Sequence, residues 1–246
     1  MMYRTQPAYG SFSSGGPVPP AVKWLLIVNI VVFVFQLPYL GGRPLLWIFG
    51  LVPQLVWNEL HIWQLFTYQF LHFGLFHIMF NMLTLWMFGC DLERAWGTRF
   101  FLKYFWVSVV GGGLCVLFLE PAQAIPTIGA SAGIYGVLLA YGRLYPESVV
   151  YVYMLFPIKM KYVVLIIGAI AFFSSISPGN SGISHLGHLG GMLFGYLYLR
   201  WGARLGLRGS LATVRHEYYR FRLARMKRKF RIIEGKKTDD EPPTLH

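Results

Sequence analysis

Residues 72–91, HFGLFHIMFNMLTLWMFGCD, decide how this chain is read. Twenty helical residues rise about 30 Å, the thickness of a hydrocarbon core. The stretch carries one formal charge, Asp91, and it stands at the very end. Comparable apolar blocks fall near 22–40, 100–119, 129–145, 158–176 and 183–201. Their joints are ERAWGTR, EPAQAIP, YPES and SPGNSG, all rich in charge or turn formers. Across its 246 residues the chain is 55% hydrophobic and only 13% charged, against about 25% charged in a soluble domain. A soluble globule is excluded, because apolar residues gathered into such blocks need lipid around them. Helices satisfy their own backbone groups there, so the expected class is an all-α membrane protein, a bundle of six transmembrane helices.

Three regions follow from composition. Residues 1–21 are a Gly/Pro/Ser-rich lead expected to be disordered and cytoplasmic. Residues 22–202 form the bundle, and 203–246 a basic tail. With no small-x-small cleavage site after it, the first apolar block reads as a retained helix rather than a signal peptide. The long connection from Gly41 to Leu71 is too polar to span, yet it holds Trp47, Trp57 and Trp63. Amphipathic aromatics of this kind suit a segment embedded at headgroup depth.

Charge sets the orientation. Lys23, Arg94, Arg99, Lys103, Arg143, Lys159, Lys161 and Arg200 cluster at one set of helix ends, and the opposite loops hold only Arg43. Both termini are therefore expected in the cytoplasm, with a bacterial inner membrane as the setting. The tail holds twelve Lys/Arg against five Asp/Glu, a balance of +7 within the net +12. Its apolar residues recur every three or four positions from Leu211 to Ile233, the pattern of an amphipathic helix on an anionic leaflet. Beside a membrane bundle that reading outweighs nucleic-acid binding. Cys90 and Cys115 make no disulfide framework.

Polar side chains inside spans are costly and need a reason. His72, His77 and Asn81 fall in the second span, Ser131 opens the fourth, and His185 and His188 open the sixth. These three spans run in the same direction. Ser131, His77 and His188 thus share a layer roughly 3–10 Å below the outer surface, with Asn81 a turn deeper. His77 and Asn81 are four residues apart and share a helix face, as do Ser131 and Tyr135. Gly187, Gly191 and Gly195 face the fourth span's Gly129, Ala132, Gly133, Gly136 and Ala140, small residues that let two backbones approach. Such closeness is what a hydrogen bond between a serine and a histidine on different helices requires. His188 or His185 could provide the base, and His72 reads as a structural residue of the loop edge.

Rival chemistries lack their residues. No HExxH occurs, and no carboxylate stands in the outer half-spans to complete a hydrolytic zinc site, so no metal or other cofactor is expected. An aspartyl pair is excluded, because the spans hold one aspartate, Asp91, at a cytoplasmic end. A transporter would place ionisable groups near the midplane, and these are shallow.

HFGLFHIMFNM, DLERAWGTRFF, GASAGIYG and HLGGMLFG together resemble the rhomboid family of intramembrane serine proteases, and the likeness covers about residues 22–202. The resemblance implies Ser131 as nucleophile and His188, followed by Gly191 and Gly195, as its base. It implies His77 and Asn81 as oxyanion donors, with Tyr135 packed on His188 and Gly129 supporting the motif. The implied substrate is the outer end of another protein's transmembrane helix. An inactive rhomboid-like protein that binds such clients is the alternative. Two positions depart from the family's pattern: Ala132 follows the serine where glycine is usual, and Gln64 follows Trp63 where arginine is usual. The first adds a methyl beside the nucleophile, and the second is expected to loosen the loop.

Overall fold

A computed structural model of the chain describes residues 16–37, 43–123, 125–152, 155–176 and 184–202. The expected tail, 203–246, and most of the expected lead lie outside the described residues, as does the SPGNSG joint.

Helix α1 (Pro20–Gln36) begins with proline at its first position, where the missing N–H costs no hydrogen bond. The next two N–H groups, of Ala21 and Val22, donate to the two carboxylate oxygens of Glu93 at 2.9 and 2.8 Å. The hydroxyl of Thr98 donates to the same carboxylate at 2.7 Å. Glu93 is buried, so one acidic residue satisfies the start of α1 and ties it to the ERAWGTR junction.

The long connection is built of short helices, α2 (Arg43–Phe49), α3 (Pro53–Glu59) and α4 (Gln64–Thr67), then a 3₁₀ turn at Tyr68–Phe70. The expected loosening at Gln64 is overturned here. Its side chain is fully buried, accepts from the Val52 N–H at 3.0 Å, and donates to the Trp47 carbonyl at 2.9 Å. Gln64 fastens three parts of the connection together without a charge.

Helix α5 (Leu75–Thr84) runs on through a π segment, Leu85–Gly89, into α6 (Cys90–Trp96). This 22-residue stretch and α7 (Thr98–Leu119), also of 22, are long and apolar enough to cross a membrane. The second span therefore starts three residues later than its hydropathy implies, and His72 lies before the helix. The buried backbone of His72 is paired with the Gln36 amide instead, N–H to Oε1 at 2.9 Å and Nε2 to the His72 carbonyl at 2.6 Å.

Helices α7, α8 (Ser131–Leu144) and α10 (His185–Gly202) pack against one another, and α9 (Met160–Ile176) lies against α8 and α10. A Cβ on Gly191 would run into the Ala132 carbonyl, and one on Gly112 would lie 2.6 Å from the Ala132 methyl. Glycine at both places lets α8 sit this close to its neighbours. The methyl that Ala132 adds is housed by Gly112 of α7. Buried tyrosines cross-brace the helices: Tyr68 donates to the Val109 carbonyl at 2.7 Å and Tyr104 to that of Gly136 at 2.6 Å.

One element among the described residues is not helical. Strands β1 (Val149–Val152) and β2 (Phe156–Lys159) form an antiparallel hairpin, Val149 opposite Lys159 and Val152 opposite Phe156. The sequence VVYV is β-branched and aromatic, which favours a pleated strand, but the run is too short to stand out beside 17- and 18-residue helices. Lys159 and Lys161 both reach Glu147, at 2.8 and 2.6 Å.

Candidate functional site

The site forms where the loop from α7 enters α8. Thr127 and Leu51 exchange backbone hydrogen bonds at 2.9 Å each, and the Gly129 N–H donates to the Tyr68 carbonyl at 2.9 Å. Gly129 has φ +121°, a conformation open to glycine, and a Cβ there would lie 2.9 Å from His77 Nε2. Two separate constraints thus fix glycine two residues before Ser131. Ser131 is the first residue of α8, so the N–H groups around it have no intrahelical acceptor and carry the positive end of the helix dipole.

From α10, His188 brings Nε2 to 2.7 Å from Ser131 Oγ. Its ring is stacked on Tyr135, centroids 4.2 Å apart and planes 7° from parallel. Tyr135 sits one turn below Ser131 on α8, so the helix that carries the hydroxyl also orients the imidazole. With Nδ1 protonated, Nε2 is the acceptor for the serine proton. His185 lies at the edge, its ring 6.0 Å from that of His188 and nearly perpendicular. Of the two histidines in the first turn of α10, His188 is the one hydrogen-bonded to the serine.

The third wall is α5. His77 Nδ1 accepts the Phe73 N–H at 3.4 Å, which leaves Nε2–H as a donor turned toward Gly129. Asn81 Nδ2 points to the same glycine, 3.7 Å from where its Cβ would be, and has no hydrogen-bond partner among the described residues. A buried amide N–H with nothing to donate to is costly unless something else fills the space. The two donors converge on Gly129, two residues before Ser131, where a developing oxyanion could be held. His72 packs edge-on to His77 at 5.0 Å and does not contact the serine. Among the described residues no group of three His, Cys, Asp or Glu could hold a metal ion.

The Rhomboid domain matches residues 59–204 of this chain, more than half its length. The chain belongs to the rhomboid family. It is 30% identical over 193 residues to rhomboid protease GluP of Bacillus subtilis, which covers 76% of this chain and 35% of that protein. It is 27% identical over 191 residues to inactive rhomboid-related protein 2 of Caenorhabditis elegans, 74% of this chain and 54% of that one. Rhomboid-like protease 3 of Toxoplasma gondii is 24% identical over 181 residues, 71% of this chain and 66% of the relative. The chain thus spans about half of the worm protein and a third of the Bacillus protein. This rhomboid chain is a membrane protein with relatives named as proteases and one named as inactive, so its own side chains must decide between them.

Three contributors lay outside the sequence reading. Glu93 sat in a quoted motif but gave no hint of its partner 72 residues away. Gln64 showed only as a missing arginine, and Gly112 only as one of three consecutive glycines. In each case the signal was present, and the neighbour that gives it meaning was not.

Proposed function

We propose that this rhomboid is an active intramembrane serine endopeptidase that works by a Ser131–His188 dyad. The 2.7 Å Oγ–Nε2 contact, braced by the Tyr135 stack, carries the reading. A serine hydroxyl is a weak nucleophile until a base stands within hydrogen-bond reach.

The steps follow from the atoms. His188 Nε2 takes the hydroxyl proton as Ser131 Oγ bonds to the scissile carbonyl carbon. The carbonyl oxygen becomes an oxyanion, held by His77 Nε2–H, Asn81 Nδ2–H and the Ser131 N–H. The imidazolium then gives its proton to the leaving amine, leaving an acyl-enzyme. In the second half His188 Nε2 takes a proton from water as the water oxygen bonds to the acyl carbon. It then returns that proton to Ser131 Oγ as the acyl C–O bond breaks, and the carboxylic acid product departs. Gly129 keeps the floor of the oxyanion site open.

The rest of the reading extends the same proposal. Six spans place the site near the outer face, with both termini in the cytoplasm of a bacterial inner membrane and the loop of α2–α4 embedded in the outer leaflet. Residues 22–202 are the protease domain, 1–21 a cytoplasmic lead, and 203–246 a basic tail that rests on anionic lipid. Substrates are transmembrane segments that unwind readily near the cut, so small or helix-weakening residues are expected there. No cofactor takes part. A client-binding protein without hydrolysis is the second reading, favoured by the inactive worm relative.

Cleavage decides between them. The purified chain in liposomes, given a reporter protein with one transmembrane helix, is expected to cut it near the outer end. Ser131→Ala should abolish the product. Uncut reporter in the presence of folded wild type would favour client binding.

A further inference from the structure

The base helix α10 starts abruptly, and what holds its first turn lies outside the dyad. Ser184 directly precedes it. The Ser184 hydroxyl oxygen accepts the Gly187 N–H at 3.2 Å, and its carbonyl accepts the His188 N–H at 3.3 Å. Ser184 is thus the cap of the turn that carries His188. A hydroxyl has one proton and can rotate, so it caps firmly only if that proton has a fixed acceptor. The acceptor is Glu120 Oε2 at 3.5 Å, on the residue that closes α7.

Glu120 also begins the segment that delivers the nucleophile. Its carbonyl accepts the Gln123 N–H at 3.0 Å, and Gln123 Nε2 reaches Thr127 Oγ1 at 2.8 Å. Thr127 is paired with Leu51, and Gly129 and Ser131 follow. One residue therefore touches both routes that must meet within 2.7 Å, the loop into α8 and the first turn of α10.

We infer that Glu120 is a positioning residue for the dyad: through Ser184 it fixes the first turn of α10, and with it the reach of His188 to Ser131. The claim rests on the dyad reading above. Glu120 need not touch substrate. It serves geometry, and small misplacements are expensive because a shift of about 1 Å can cost 10²-fold in rate.

The test is the second-order rate of Ser131 labelling by a fluorophosphonate, together with kcat and KM for the reporter substrate, on the full chain in detergent. Glu120→Leu is expected to slow labelling and kcat about tenfold, within that range, with KM unchanged. Glu120→Gln keeps an acceptor oxygen and should retain most of the rate. Ser184→Ala should match Glu120→Leu, and the double variant should be no slower than Ser184→Ala alone, since Glu120 acts through it. If Glu120→Leu does not fold, Ser184→Ala compared with Ser184→Thr carries the same comparison. Wild-type rates in every variant, losses that multiply in the double variant, or a loss confined to KM would overturn the assignment. A wild type that never labels removes the dyad reading and this inference with it; a wild type that labels alongside equally fast variants removes this inference alone.

Discussion

Asn81 carries an amide donor that is buried and unpartnered among the described residues, aimed at the glycine beside the serine hydroxyl. If it stabilises the oxyanion, Asn81→Ala should cut turnover by about 10²–10³ while the protein still unfolds at its normal temperature. Unchanged turnover in a folded variant would make Asn81 a packing residue. A second residue-scale prediction concerns the departure at Ala132. Gly112→Ala would bring two methyls to about 2.6 Å, an overpacking that typically costs ~1–3 kcal/mol. Thermal unfolding should show the loss, and Ala132→Gly added to Gly112→Ala should restore part of it, the remainder being the contact with the Gly187 carbonyl oxygen, also at 2.6 Å. If the second change does not help, the two positions are not coupled. Ser131, His188, His77 and Asn81 were legible in the sequence because polar groups in apolar blocks have few innocent explanations. Gly112 was not, since a glycine in a membrane helix explains nothing until the atom opposite is known.

Elements are held by side chains that no hydropathy profile reveals. Gln64, the first residue of α4, joins Trp47 of α2 and Val52 just before α3 through its side-chain hydrogen bonds. Gln64→Leu would strand the buried Val52 N–H, at about 1–3 kcal/mol for a buried group left unpaired. A lowered unfolding midpoint in detergent is the expected result; an unchanged one would mean that the loop is fixed elsewhere. The hairpin makes a different prediction. Lys159 and Lys161 hold the Glu147 carboxyl down to about 2, from an ordinary 4.5. A lowered folded value means the pairing helps above the ordinary value and is lost as pH falls through the folded one. Amide exchange at Val150 and Ile158 should accelerate relative to α9 between about pH 4.5 and 2. The effect is small because the pair is exposed. Helix positions were legible to within a few residues because an apolar block spans a fixed length. The hairpin was hidden because four-residue strands have no such length, and the late start of α5 because a single polar His72 ahead of Phe73 does not interrupt the apolar run.

At the scale of the molecule, family membership places the chain among membrane proteins, and among the described residues α5–α6 and α7 have the length and apolarity to cross. The proposed further spans rest on the apolar blocks of the sequence, and the proposed direction on the charge bias. A reporter active only outside the membrane should work when inserted after Glu120 and stay silent when fused after residue 246. The opposite pattern would invert the topology and put the serine on the cytoplasmic side. Membership leaves activity open, and the contact between α8 and α10 is where the protease and client-binding readings part. The measurement that bears on it most directly is mass spectrometry of the purified chain after treatment with a fluorophosphonate. One adduct on Ser131 is expected, absent in Ser131→Ala, nearly absent in His188→Ala because residues acting as a unit are lost together, and substantial in His185→Ala. A folded wild type without an adduct, or His188→Ala labelled as fast as wild type, would contradict a Ser131–His188 dyad.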